Sequence, residues 1–173
     1  MSTMLPLDIA SFAYDPSTQQ PVLLLKLAGS PDPAERLVPI ALGRPEAHAI
    51  ITAANGARFS RPMTHDLLVS IMQIAGLSLN RVEISSFARG TFLATLDFQQ
   101  GDRHVTVDAR PSDAIALSLR THTPLFIADN VYQETSVKTQ IVGSDDNGQA
   151  QGPQKLLNDF HEFLQHVEPD DFK

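Results

Sequence analysis

The stretch Arg81–Ala109, RVEISSFARGTFLATLDFQQGDRHVTVDA, decides the fold class. It divides into three runs rich in β-branched and aromatic residues: Arg81 to Phe87, Thr91 to Phe98 and His104 to Ala109. Arg89-Gly90 separates the first two and Gln100-Gly101-Asp102 the last two, and turns this short make antiparallel neighbours. Strands in succession, with helices grouped around them rather than alternating, predict an α+β fold over a doubly wound one.

Reading outward toward the N-terminus, Gly43-Arg44-Pro45-Glu46 opens a helix. Pro45 suits a first helical position and Glu46 complements the positive end of the helix dipole. Ala47, Ile50, Ile51 and Ala54 then fall at i, i+3, i+4 and i+7 as one buried stripe, with Gly56 as the stop. A second helix is expected from Thr64, a residue able to cap free backbone donors, with Met63 and Leu68 placed for a hydrophobic staple. Leu67, Leu68, Ile71, Met72, Ile74 and Ala75 give it a broad apolar face. Ahead of both lie three further strands, Leu5–Tyr14, Val22–Leu27 and Arg36–Leu42; the first two read as a hairpin, and Pro39 marks the third as an edge or a bulge.

Toward the C-terminus, Pro111-Ser112-Asp113 starts a third helix that runs through AIALSLR to about Thr121. Leu125–Ala128 reads as a strand and Asn130–Val137 as a short helix. Composition changes near Thr139: residues 139–153 read as a flexible acidic and polar linker. Residues 154–173 read as a C-terminal amphipathic helix on that tether, with Leu156, Leu157, Phe160, Phe163, Leu164 and Val167 on one side. The expected organisation is therefore a body over 1–138, a linker and a tethered helix.

The 173 residues carry a net charge of −7, which is unfavourable for contact with a nucleic-acid backbone. The charge is uneven, however. Residues 1–138 hold 11 Lys+Arg against 13 Asp+Glu, and residues 139–173 hold 2 against 7. Nine of the eleven basic residues in the body are Arg, whose planar fork suits phosphate. Without Cys, disulfides and thiolate metal sites are excluded. No run approaches the 18 apolar residues of a membrane span, and the N-terminus lacks the pattern of a secretory signal. A cytoplasmic protein with no membrane partner is expected.

Three segments place Arg and acidic residues in the first turn of a helix: Gly43–Glu46, Arg61–Asp66 and Asp108–Asp113. Helix starts present unpaired N–H groups and a positive dipole end, so they bind anions such as phosphate. Arg44, Arg61 and Arg110 would strengthen such capture. Glu46, Asp66, Asp108 and Asp113 are oxygen ligands for a divalent cation or general bases, and His65 is the natural proton carrier. Taken singly, each has a plainer role: first-turn carboxylates cap helices, Arg–carboxylate pairs fix folds, and a His at a helix start is often solvated. No HExxH pair, Walker loop, GxGxxG or GxSxG is present.

These same segments resemble the bifunctional nuclease domain family. The matching stretches are Val38–Ile50 (VPIALGRPEAHAI), Arg61–Leu68 (RPMTHDLL) and Asp108–Arg120 (DARPSDAIALSLR), joined by Gly90–Leu96 and Pro124–Val131. His48 departs from the family pattern, in which Gln is common at that place. The resemblance implies an α+β fold with a mixed, largely antiparallel sheet, three main helices packed on it, and a homo-oligomer. It further implies a nuclease acting on RNA and DNA, and for that reaction the first-turn carboxylates are expected to hold Mg²⁺ or Mn²⁺. His65, Asp66, Asp108 and Asp113 are then the candidates for catalysis, and Arg44, Arg61, Arg110, Thr64 and Ser112 for substrate binding. Glu46, Asp108 and Asp113 are the candidates for the metal. The alternative is a non-catalytic oligomeric or interaction module in which the polar clusters are structural.

Overall fold

Two antiparallel units, one strand inserted between them and a short strand at one edge build an eight-stranded sheet. The computed structural model describes residues 3–15, 17–30 and 36–138; the expected linker (139–153) and C-terminal helix (154–173) lie outside the described residues. The first unit is β1 (Met4–Asp15), β2 (Gln20–Leu27) and β3 (Arg36–Ala41), each antiparallel to the next. The second is the expected meander of β4 (Ser78–Ala88), β5 (Thr91–Gln100) and β6 (Arg103–Ala109). Between β4 and β5, Arg89 (φ 52°) and Gly90 (φ 77°) both take the left-handed conformation that a two-residue hairpin turn matched to strand twist requires.

β7 (Leu125–Ala128) joins the two units, running antiparallel to β1 and parallel to β4. A two-residue strand, β8 (Val137–Lys138), pairs with the start of β3, so the order across the sheet is β6-β5-β4-β7-β1-β2-β3-β8. The fold is α+β with a mixed sheet, as expected. β8 overlaps the end of the predicted helix 130–137, which in fact covers Asp129–Thr135 as α4. Pro39 lies beyond the two residues of β3 that β8 reaches, at a free edge where a missing N–H breaks no ladder bond.

α3 (Pro111–Thr121) is the central helix; it packs on β4 and β5 and is flanked by α1 (Arg44–Ala54) and α2 (Thr64–Ile74). Ala114, Ile115, Ala116 and Leu117 of α3 are all buried, as are Ala47, Ile50 and Ile51 of α1. His122, in the left-handed conformation (φ 54°), ends α3, and Ser118 Oγ donates to the Thr123 carbonyl at 2.7 Å to turn the chain toward β7.

α2 differs from expectation twice. Its N-cap is Met63 rather than Thr64, because Asp66 reaches back to accept the Met63 N–H at 2.9 Å and Thr64 is already helical. Its apolar face is not core: Met72 is buried, whereas Leu67, Leu68, Ile71 and Ile74 are exposed. The periodicity is present, but the chain supplies no described surface to cover that face. None of the described helices is long and apolar enough to cross a membrane.

Candidate active site at three helix starts

The starts of α1, α2 and α3 meet on one side of the helical layer, around Arg110. This residue is the N-cap of α3, extended at φ −67° and ψ 142°, so its side chain leaves the strand-to-helix turn freely. Its Nε donates to Asp113 Oδ2 at 2.7 Å and its Nη2 to Asp113 Oδ1 at 3.1 Å, a bidentate fork within the first turn of α3. Its Nη1 lies 3.0 Å from Glu46 Oε1 on α1. From α2, His65 Nε2 lies 3.2 Å from Asp113 Oδ1. Four side chains from three helices thus form one connected network.

Local sequence explains how each arrives there. Glu46 curls back over Gly43, and a Cβ at position 43 would collide with its Oε2, so the glycine leaves room for the carboxylate. Pro45 and Pro111 each occupy an early helical position where a missing N–H is harmless. The Arg110 guanidinium holds Asp113 below the usual carboxylate range; burial opposes this and the His65 contact assists it. Conversely, Asp113 and then Glu46 make Arg110 hold its proton more firmly. Arg110 nonetheless stays 65% exposed, and three of the five N–H donors of a guanidinium are used here, so two can still reach a ligand.

The network borders an open cleft of about 1160 Å³. Arg44, Glu46, Thr64, His65, Arg110 and Asp113 line its polar side, and Leu68, Leu96, Val107 and Leu117 its apolar side. His48, which sequence reasoning set aside, also lines the cleft; its ring is tilted against Phe59 with centroids 6.2 Å apart.

The remaining candidates are outside the network. Asp66 turns to α3, where Arg120 Nε donates to its Oδ1 at 2.5 Å. That bond, more than the opposing burial, lowers the Asp66 pKa, with the Met63 N–H helping. Arg61 is exposed ahead of α2 and does not line the cleft. Ser112 is buried and borders a neighbouring hollow with Gly43 and Phe92. Asp108 is exposed on β6 and lines both the cleft and that neighbouring hollow.

Glu46, Asp108 and Asp113 all line the cleft; a guanidinium sits between Glu46 and Asp113, and Asp108 is outside that network. Among the described residues no group of three or more His, Asp or Glu side chains is arranged to hold a metal ion.

Arg120 is the residue that sequence reasoning missed. Besides Asp66, it donates through Nη1 to the carbonyls of Ala49 on α1 and Ala116 on α3, both at 3.0 Å, and so ties the three helices together. The one available signal was a lone cation closing the otherwise apolar AIALSL run, which needs a partner once the helix is buried.

Two curated relatives, each named an uncharacterized protein, come from Mycobacterium tuberculosis strains CDC 1551 / Oshkosh and ATCC 25618 / H37Rv. Each is 38% identical over 154 residues, 89% of this chain and 89% of its own length. A family model described as the bifunctional nuclease domain matches residues 24–140, a span that takes in all three helix starts. The chain belongs to the bifunctional nuclease domain family.

Proposed function

We propose that the protein is a nuclease hydrolysing phosphodiester bonds in RNA and DNA at the Arg110–Asp113–His65–Glu46 cluster. The observation that carries this reading is the convergence of that cluster on one open cleft from three separate helices. A guanidinium and helix-start N–H groups suit a phosphate, and a general base beside them suits attack on phosphorus. Arg110, with Arg44 on the same rim, binds the phosphate oxygens. Asp113, kept ionised by Arg110, accepts the Nε2–H of His65 and so leaves Nδ1 with the lone pair. Nδ1 removes a proton from the attacking water, whose oxygen bonds to phosphorus as the ester P–O bond breaks, and the leaving oxygen takes the proton held on His65. Glu46 fixes Arg110 from the other side. The family assignment supports a nucleic-acid substrate, and the Arg-rich, nearly neutral body is compatible with one.

No step here uses a divalent ion, because Arg110 already engages two of the carboxylates suggested for it, Glu46 and Asp113. Hydrolysis of single-stranded RNA and DNA by the purified chain is therefore expected to survive excess EDTA. It is expected to fall at least about tenfold in Arg110→Met purified through identical steps. Loss in EDTA with recovery in Mg²⁺ or Mn²⁺ would mean that an ion displaces Arg110 from the carboxylates. Activity equal in wild type and Arg110→Met would point to a contaminating nuclease.

One observation favours a rival reading, a non-catalytic module: both cleft carboxylates that line the network are already paired, as a purely structural cluster would be. That reading requires Arg110→Met to lower stability while nucleic acid is left intact by every form of the protein. We place the protein in the cytoplasm on its sequence features; fractionation with a tagged chain tests that placement.

Acid should expose the stabilising part of these pairs. Asp66 and Asp113 both have folded-state pKa values below their ordinary value of 3.8, so their pairing contributes fully above the unfolded pKa. That contribution disappears as pH falls through the lowered, folded values. The thermal midpoint is expected to be level from about pH 7 to pH 5 and to drop below about pH 4. Asp113→Asn should start lower and drop less steeply. Parallel curves for the two proteins would contradict this assignment.

A further inference from the structure

Resting on the nuclease reading above, we infer that the hollow beside the cleft is a second nucleoside subsite. The chain then cuts inside an unpaired strand, with one base seated on each side of Arg110. The hollow has a volume of about 630 Å³, within the roughly 300–1,000 Å³ of small-molecule sites. It lies between the end of β3, the β4–β5 hairpin and the start of α3. Glu46, Asp108, Ala109 and Arg110 line both the hollow and the cleft, so the two spaces meet along one shared wall. Arg110 stands on that wall with most of its side chain exposed. A phosphate held there has open space on both sides. Room for two nucleosides is what a phosphodiester bond within a strand requires, and a terminal phosphate does not.

The lining of the hollow selects a base over a second phosphate. Arg110 is the only cation among the described residues that line it, and Glu46 and Asp108 oppose a further anion. Ile40 and Leu42 give the hollow an aliphatic wall at the end of β3. Phe87 and Phe92, opposite each other across the hairpin, add two half-buried rings with centroids 4.7 Å apart. Aromatic side chains take bases by stacking, whatever the base. A base inside a duplex is not free to enter such a space, which restricts the subsite to unpaired nucleotides.

Ser112 supplies the polar partner. It is only 7% exposed, it lines the hollow, and its hydroxyl has no hydrogen-bond partner among the described residues. A buried hydroxyl left unpaired is costly, and native proteins seldom keep one without a use. The edge of a base offers both donors and acceptors, and a hydroxyl can serve either. Ser112 follows Arg110 by two residues, a span of at most about 7 Å, so one nucleotide can touch both.

The test uses the full-length chain and single-stranded DNA. A covalently closed circle has no ends, and wild type is expected to cut it at a rate comparable with that of the linear strand. An oligonucleotide lacking one base then maps the subsites on a sequencing gel. Both phosphodiester bonds beside the missing base are expected to be cut about tenfold more slowly than in the intact strand. Ser112→Ala should raise KM for the intact strand about three- to tenfold. It should also shrink the effect of the missing base at one of the two bonds and leave the other unchanged. Its thermal midpoint should not fall, because the hydroxyl bonds nothing among the described residues; a structural serine would lower the midpoint and leave the cleavage pattern alone. A linear strand degraded while the circle stays intact overturns the proposal and leaves the nuclease reading standing. Slowing at only one bond beside the missing base, or an unchanged KM in Ser112→Ala, overturns it in the same way. Circle and linear strand both left whole would remove the nuclease reading and the subsite with it.

Discussion

His65→Ala is expected to lower nuclease turnover by about 10²–10⁴-fold, the range that removing a general acid–base group produces. His65 is well placed for that role. It comes from α2, its Nε2 is 3.2 Å from a carboxylate held ionised by Arg110, and its side chain is only 14% exposed. Loss of the ring leaves Arg110 and Asp113 paired with each other, so phosphate binding should change far less than turnover. Single-turnover cleavage of a labelled oligonucleotide, with binding measured separately, distinguishes these quantities. Free imidazole should partly restore His65→Gly. A loss below about tenfold, or equal losses in binding and turnover, would remove His65 from the chemistry and leave Arg110 as an anchor without a base.

The second large effect concerns stability. Arg120→Ala is expected to cost about 2–4 kcal/mol, because it strands the Asp66 carboxylate and the Ala49 carbonyl on two helices at once. The value sits toward the low end for a broken ion pair because Asp66 is 38% exposed and water can partly replace the guanidinium. For a chain of this size that is a fall of roughly 5–15 °C in thermal midpoint. Arg120→Lys should recover little, since one ammonium cannot reproduce a fork that serves three helices. Should Arg120→Ala melt within a degree or two of wild type, the helical layer must be held by apolar packing alone.

Most strands and all three main helices were legible because each carries its own local signal. The Arg89-Gly90 turn specifies the β4–β5 hairpin, and Pro45 and Pro111 announce helix starts. What was not legible depends on distance. Nothing local reveals that Val137–Lys138 pairs with Arg36 and Leu37, a hundred residues earlier. The same limit applies at α2: periodicity identifies the face of Leu67, Ile71 and Ile74 but is silent on whether core, partner or solvent meets it. The site divides along the same line. Glu46, His65, Arg110 and Asp113 stand where helix-start chemistry suggested. Asp66, equally plausible by type and position, was claimed by Arg120, and Asp108 lines the cleft without joining the network.

The placement of β7 bears on the order of assembly. The chain makes β1–β3 first and β4–β6 later, yet the two units touch in the sheet only through Leu125–Ala128, inserted between β4 and β1. A nascent chain on the ribosome can zip each hairpin set as it emerges. Until the final third of the message is translated, the flanks of β1 and β4 remain bare, at an elongation pace of about 5–20 residues per second. A chain that stops between Ala109 and Leu125 is therefore expected to hold two half-sheets with bare flanks and no strand to join them.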